Sequence, residues 1–297
     1  MMDWLSEPFA LGFQQRALVA GVLAVLVSSV VGTWVVLRGL AFIGDALAHG
    51  VLPGVAIAVL VGFDLILGAV VSSVAMVAGI NLVHRRARLT EDTAIGLLFV
   101  GMLALGVVLI SRTSSYTGSL TGILFGDILG VSGSDLVILG AGALLALVLS
   151  AILYRPFLVL CFNERKAELL GMMPKLAHAA MLSLVTVAVV TSFRTVGSLL
   201  VFGLMIAPPA TAALVARRVP TVMLAAFGFG IAAVGGGLLI SYHYSTAASA
   251  TIAALAVAIF FVVLTASGFR RRPARPATSF LQSPPWKSNQ DISISGV

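Results

Sequence analysis

From Ala17 to Gly268 the chain is a succession of apolar runs, each close to the length of a membrane-spanning helix and separated by short polar breaks. Nothing else constrains the fold as much. A bilayer core of roughly 30 Å is crossed by about 20 apolar residues, because a helix rises ~1.5 Å per residue and satisfies its own backbone. We place nine such spans at 17–37, 41–63, 65–83, 93–111, 135–153, 177–193, 195–215, 221–241 and 248–268. The runs do not alternate with period two, so the expected fold is an all-α polytopic membrane helical bundle rather than a barrel. With 60% hydrophobic and 10% charged residues, the chain is too apolar for a water-soluble globule. The segment 116–132, YTGSLTGILFGDILGVS, is expected to be a re-entrant or interfacial helix.

In a soluble protein the net charge of +7 would suggest nucleic acid; here its placement indicates topology instead. With the HRRAR loop at 84–88 in the cytoplasm, only Arg16, Arg112 and Arg194 of the 18 basic residues fall outside. The amino terminus is then outside and the carboxy terminus inside. MMDWLSEPFALGFQQR has no basic n-region and no small-residue cleavage site, so it is not expected to be a removable signal peptide. Cys161 is the one cysteine, which excludes an intrachain disulfide and a paired-thiolate site; it is expected to be a buried structural thiol. The division expected is a transmembrane domain, 1–268, and a tail, 269–297. The tail's RRRPARPATSFLQSPPWKSNQDISISGV has the composition of a disordered basic segment held near anionic lipid.

Within the spans, ionisable groups are scarce and therefore informative. GDALAHGVLPGVAIAVLVGF contains Asp45 and His49 and no other titratable side chain. Positions i and i+4 lie roughly 40° apart around a helix and about 6 Å apart along it, so the carboxylate and the imidazole share a face. Charge at membrane depth usually faces a protein interior or a wet path. One reading makes the pair a structural hydrogen bond; the other makes it a transient metal site, since both groups ligate transition metals. Two ligands on one helix leave a shell incomplete, which suits an ion that must be released. His243, in SYHYST at the outer end of a span, is a candidate third ligand. His84 and His178 are expected to be solvated or interfacial, Asp64 to lie in an outer loop, and Asp127 to cap or line an outer constriction.

Pro53, Pro208 and Pro209 fall inside spans, and each removes a helical hydrogen bond; they are the candidate helix breaks, with a packing kink as the other reading. The many glycines suit close helix packing in lipid. FNERKAELLGMMPKL, 162–176, reads as a short amphipathic cytoplasmic helix ended by Gly171 and Pro174. The chain contains no G-x-x-x-x-G-K-[ST] and no soluble stretch long enough for a nucleotide-binding domain, so it is not expected to hydrolyse ATP. The absence of HExxH argues against an intramembrane metal hydrolase.

The order LRGLAFIGDALAHGVLPGVA, RLTEDTAIGLLFVGMLALGVVLIS, LFGDILGVS, LYRPFLVLCFNERKAELLGM and TVGSLLVFGLMIAPPATAALVARR resembles the membrane permease of zinc- and manganese-type ATP-binding cassette importers. The likeness runs from about residue 10 to residue 268. It implies a fold similar to the vitamin B12 and siderophore importer permeases. A dimer of the permease is implied too, with two cytoplasmic ATPase subunits and an extracytoplasmic metal-binding protein as partners. Asp45 and His49 match the family's GDALxHxxLPG motif, whose Asp and His contact the passing ion; Gly50 stands where Ala is common. SYHYSTAASATI departs from the Pro- and Gly-rich loop expected there. The segment 162–176 resembles the coupling helix, with Glu164, Arg165, Glu168, Leu169, Leu170 and Gly171 as the ATPase-docking surface. The cargo expected is zinc, with manganese next, because imidazole is a good zinc ligand. The alternative is a proton- or ion-coupled secondary metal transporter, with Asp45 and His49 as the relay.

Overall fold

The computed structural model describes residues 11–87, 90–111, 126–162 and 173–268. Their order is α1 (Gly12–Arg38), α2 (Ala41–Gly50), α3 (Leu52–Val61), α4 (Leu65–Ala87), α5 (Glu91–Ile110), a 3-10 turn (Ile128–Gly130), α6 (Gly133–Ile152), α7 (Tyr154–Phe162), α8 (Pro174–Val215), α9 (Val219–Tyr244) and α10 (Ala248–Gly268). Among the described residues, nine helical stretches are long and apolar enough to cross a membrane, from Gly12–Arg38 to Ala248–Ser267. They coincide with the nine expected spans to within a few residues at each end. The docking residues Glu164, Arg165, Glu168, Leu169, Leu170 and Gly171, most of the expected 116–132 helix and the tail 269–297 lie outside the described residues.

The centre of the bundle is α1 together with the α2–α3 span. Both are 72% buried over their apolar windows, against 22% for Asp92–Ile110 in α5. Glycines let the backbones close up: a Cβ on Gly21 of α1 would lie 2.5 Å from Val234 of α9, and one on Gly230 would lie 2.4 Å from Val25. In lipid, where apolar burial drives little association, such close approach supplies the dispersion contact. At the end of α1, Trp34 donates through Nε1 to Ser150 Oγ at 2.7 Å and meets Tyr154 and Phe157 edge-on, each at 5.5 Å. Arg38 donates to the Leu160 carbonyl. These contacts tie α1 to α6 and α7. Half-buried Cys161 sits here too; burial pushes its thiol up to about 11, with Arg38 opposing, as expected of an inert structural thiol.

Two interruptions shape the bundle. A straight helix of 42 residues would run about 63 Å, twice the bilayer core, yet α8 spans Pro174–Val215. Gly197, at φ 76° and ψ 160°, interrupts it two residues into the second of its two apolar spans, Leu176–Phe193 and Thr195–Val215. Sequence reasoning put the break at Pro208 and Pro209, but both lie within continuous helix. Pro209 has no N–H for the Met205 carbonyl, and Gly32 of α1 comes against that carbonyl instead: a Cβ there would be 2.0 Å from the oxygen. In the second span, α2 ends at Gly50 and α3 begins at Leu52, with Pro53 in the first turn, where a missing N–H is tolerated. Ser72 of α4 donates to the Gly50 carbonyl at 2.6 Å.

Candidate functional site

Gly39, with φ 76°, ends α1 in the left-handed conformation and lets the chain turn directly into α2. One turn into α2, Asp45 and His49 meet as the spacing requires, with Nε2 of His49 3.3 Å from Oδ1 of Asp45. Both side chains are half-buried. Nδ1 of His49 is buried and has no hydrogen-bond partner among the described residues. The His49 ring lies 5.5 Å from the Phe99 ring of α5, tilted by 58°.

Beside the pair is a cavity of about 200 Å³ lined by Phe42, Asp45, Ala46, Asp92, Ile95 and Phe99, among others. Asp92, an exposed residue in the first turn of α5, thus faces the same space as Asp45. Sequence reasoning did not single it out. Thr90 caps this helix by accepting the Thr93 N–H, and an acid just after a cap is ordinary helix-end chemistry that carries no separate signal.

A carboxylate and an imidazole on one face, one of them with an unpartnered nitrogen, form half of a first-row metal site. Among the described residues, no group of three or more His, Cys, Asp or Glu side chains could hold a metal ion. His243 is therefore not brought to the pair. It lies in the last turn of α9, with its ring edge-on to Tyr242 at 5.3 Å. Asp127 caps the 3-10 turn by accepting the Gly130 N–H at 2.9 Å, and Asp64 accepts the Leu67 N–H at 2.9 Å at the start of α4. His84 is exposed and His178 half-buried.

Residues 10–267 match the ABC 3 transport family. Over 251 residues the chain is 38% identical to the manganese transport system membrane protein MntC of Listeria innocua, covering 84% of this chain and 89% of that protein. Over 265 residues it is 35% identical to the chelated iron transport system membrane protein YfeD of Yersinia pestis, covering 89% and 88%. Among solved structures, PsaBC from Streptococcus pneumoniae, in complex with Fab, superposes with a TM-score of 0.79 at 32% identity, over 89% of this chain and 95% of that one. The family match runs through all of the described helices, and the chain belongs to the ABC 3 transport family, as a multi-pass permease of the cell membrane.

Proposed function

We propose that the chain is the permease of an importer that carries a divalent first-row metal ion into the cytoplasm, with ATP hydrolysed by a separate subunit. Manganese is the leading cargo and ferrous iron the next. The observation that carries the reading is the Asp45–His49 pair, half-buried in a central span with one imidazole nitrogen unpartnered. Imidazole alone favours zinc, but an imidazole with a carboxylate serves manganese and ferrous iron as well. The names of the relatives, manganese and chelated iron transport proteins, shift the order away from zinc.

The described residues supply too few ligands, so the rest of the shell comes from water or from a second copy of the permease. An open shell is also what release demands. The segment 162–176 docks the cytoplasmic ATPase, and an extracytoplasmic metal-binding protein delivers the ion. A proton-coupled carrier would import without any ATPase; membership of an ABC family weighs against it.

The test is whole-cell accumulation of manganese, iron and zinc when the permease is expressed with its genomic ATPase neighbour. Asp45→Ala and His49→Ala are each expected to lower accumulation of the cargo at least tenfold while leaving membrane insertion unchanged, since losing a ligand costs no less than the roughly 10- to 100-fold that follows loss of an outer-shell partner. Wild-type accumulation in either variant would remove the site assignment. Accumulation without the ATPase would move the weight to the carrier reading.

A further inference from the structure

Gly44 immediately precedes Asp45, and Gly50 immediately follows His49. At about 100° per residue, the two glycines lie about 120° to either side of the pair's mean direction. Each leaves a notch in α2, and a methionine fills each notch. A Cβ on Gly44 would fall 1.9 Å from Met205 Cε, and a Cβ on Gly50 would fall 2.1 Å from Met76 Sδ. Met76 comes from α4 and Met205 from α8, and both are completely buried. The third side is closed by Phe99 of α5 against His49.

Ile43, Ala46, Leu47 and Ala48 bury the rest of this helix in the core, and the two seats add contacts on its flanks. α2 has ten residues and no side-chain hydrogen bond at its N-cap, and Val51, itself with helical φ and ψ, links it to α3. In an apolar surrounding, burial alone drives little association, so closely fitted contacts between helices carry the orientation. A thioether seated where a side chain is missing provides such a contact, and methionine's flexibility lets it follow the notch closely.

We propose that Met76 and Met205 are positioning residues that fix the roll of α2 and so aim Asp45 and His49 at the cargo ion. This rests on the pair being the cargo site. The methionines act by shape and not as ligands. The Gly50 seat is the stiffer of the two, because Sδ, Cγ and Cβ of Met76 all lie within 3.6 Å of the added Cβ, whereas at Gly44 Met205 offers chiefly its terminal methyl.

The experiment measures Mn²⁺ binding to the full-length permease in lipid nanodiscs, using the electron paramagnetic resonance signal of free Mn²⁺. Gly50→Ala is expected to weaken binding roughly tenfold or more, the scale of outer-shell changes at metal sites. Alanine is the better helix former, so weaker binding does not come from a weaker α2. Met76→Ala, which empties the seat, also weakens binding, and Met76→Leu, which keeps the bulk and loses the sulfur, binds as wild type does. Gly44→Ala shows a smaller loss and serves as the second variant if Gly50→Ala does not fold. A merely structural role would lower the yield of folded protein without changing the affinity of the folded fraction. Wild-type affinity in both glycine variants, wild-type affinity in Met76→Ala, or loss in Met76→Leu would each overturn the proposal. His49→Ala, run in parallel, separates the two levels. If it loses Mn²⁺ while the glycine variants do not, only the positioning role fails; if it binds as wild type does, the cargo site fails as well.

Discussion

In the α2–α3 span the helical hydrogen-bond ladder is disturbed around Val51, with Pro53 two residues on, although Val51 keeps helical φ and ψ; in α8 the helix runs through Pro208 and Pro209 and is interrupted at Gly197. The contrast lies in what receives the backbone groups left over. Pro53 withholds its N–H from the His49 carbonyl, which receives the Val51 N–H instead, and the next carbonyl, Gly50's, is taken by the Ser72 hydroxyl from the neighbouring helix. The Met205 carbonyl, left without a donor by Pro209, faces Gly32 so closely that the hydrogen in place of a Cβ makes a C–H···O contact. A proline in a membrane helix therefore does not dictate a break by itself. The neighbouring helix decides, by offering either a hydroxyl that supports an opening or a glycine that permits continuity.

That comparison can be broken at four places, in falling order of effect. Gly54→Ala removes the closest approach of α3 to α4, where the new Cβ would stand 2.0 Å from the Gly68 carbonyl oxygen. Backbone cannot step aside, so destabilisation above about 3 kcal/mol and loss of folded protein in detergent are expected. Gly197→Ala forces a side chain into a conformation essentially reserved for glycine, beside Gly126, whose own backbone comes against it. A loss of about 3 kcal/mol should appear as a lower thermal midpoint. Ser72→Ala leaves the Gly50 carbonyl without its partner at a cost of about 2 kcal/mol, and it should slow uptake as well because the end of α2 loosens. Pro209→Ala should matter least, by about 1 kcal/mol or less, since it exchanges a C–H···O contact for an ordinary N–H donor. If Pro209→Ala proved as damaging as Ser72→Ala, the two prolines would not differ as described.

The sequence was legible where a local period or a bulk property decides. The spans follow from run length, and the meeting of Asp45 with His49 follows from helical geometry alone. It was not legible where the partner is distant in the chain. Gly197 in TVGSLL resembles many glycines that merely pack, and both its positive φ and the close approach of Gly126 to its backbone are tertiary features. Pro208–Pro209 looked like a break because sequence shows the missing donor and not Gly32 facing it. Asp92 joins the cavity by tertiary approach of α5 to α2, and the methionine seats at Gly44 and Gly50 likewise come from helices far along the chain. His243 shows the reverse error: a ligand-type residue at a plausible depth that the fold does not gather with the pair.

The most direct test of the central claim is pulsed electron paramagnetic resonance of the Mn²⁺-loaded permease, read for the coupling of a directly bound imidazole nitrogen. The Asp45–His49 pair as the cargo site requires that coupling in the wild-type protein and its disappearance in His49→Ala. A nitrogen coupling that survives unchanged in His49→Ala would place the ion elsewhere and contradict the assignment.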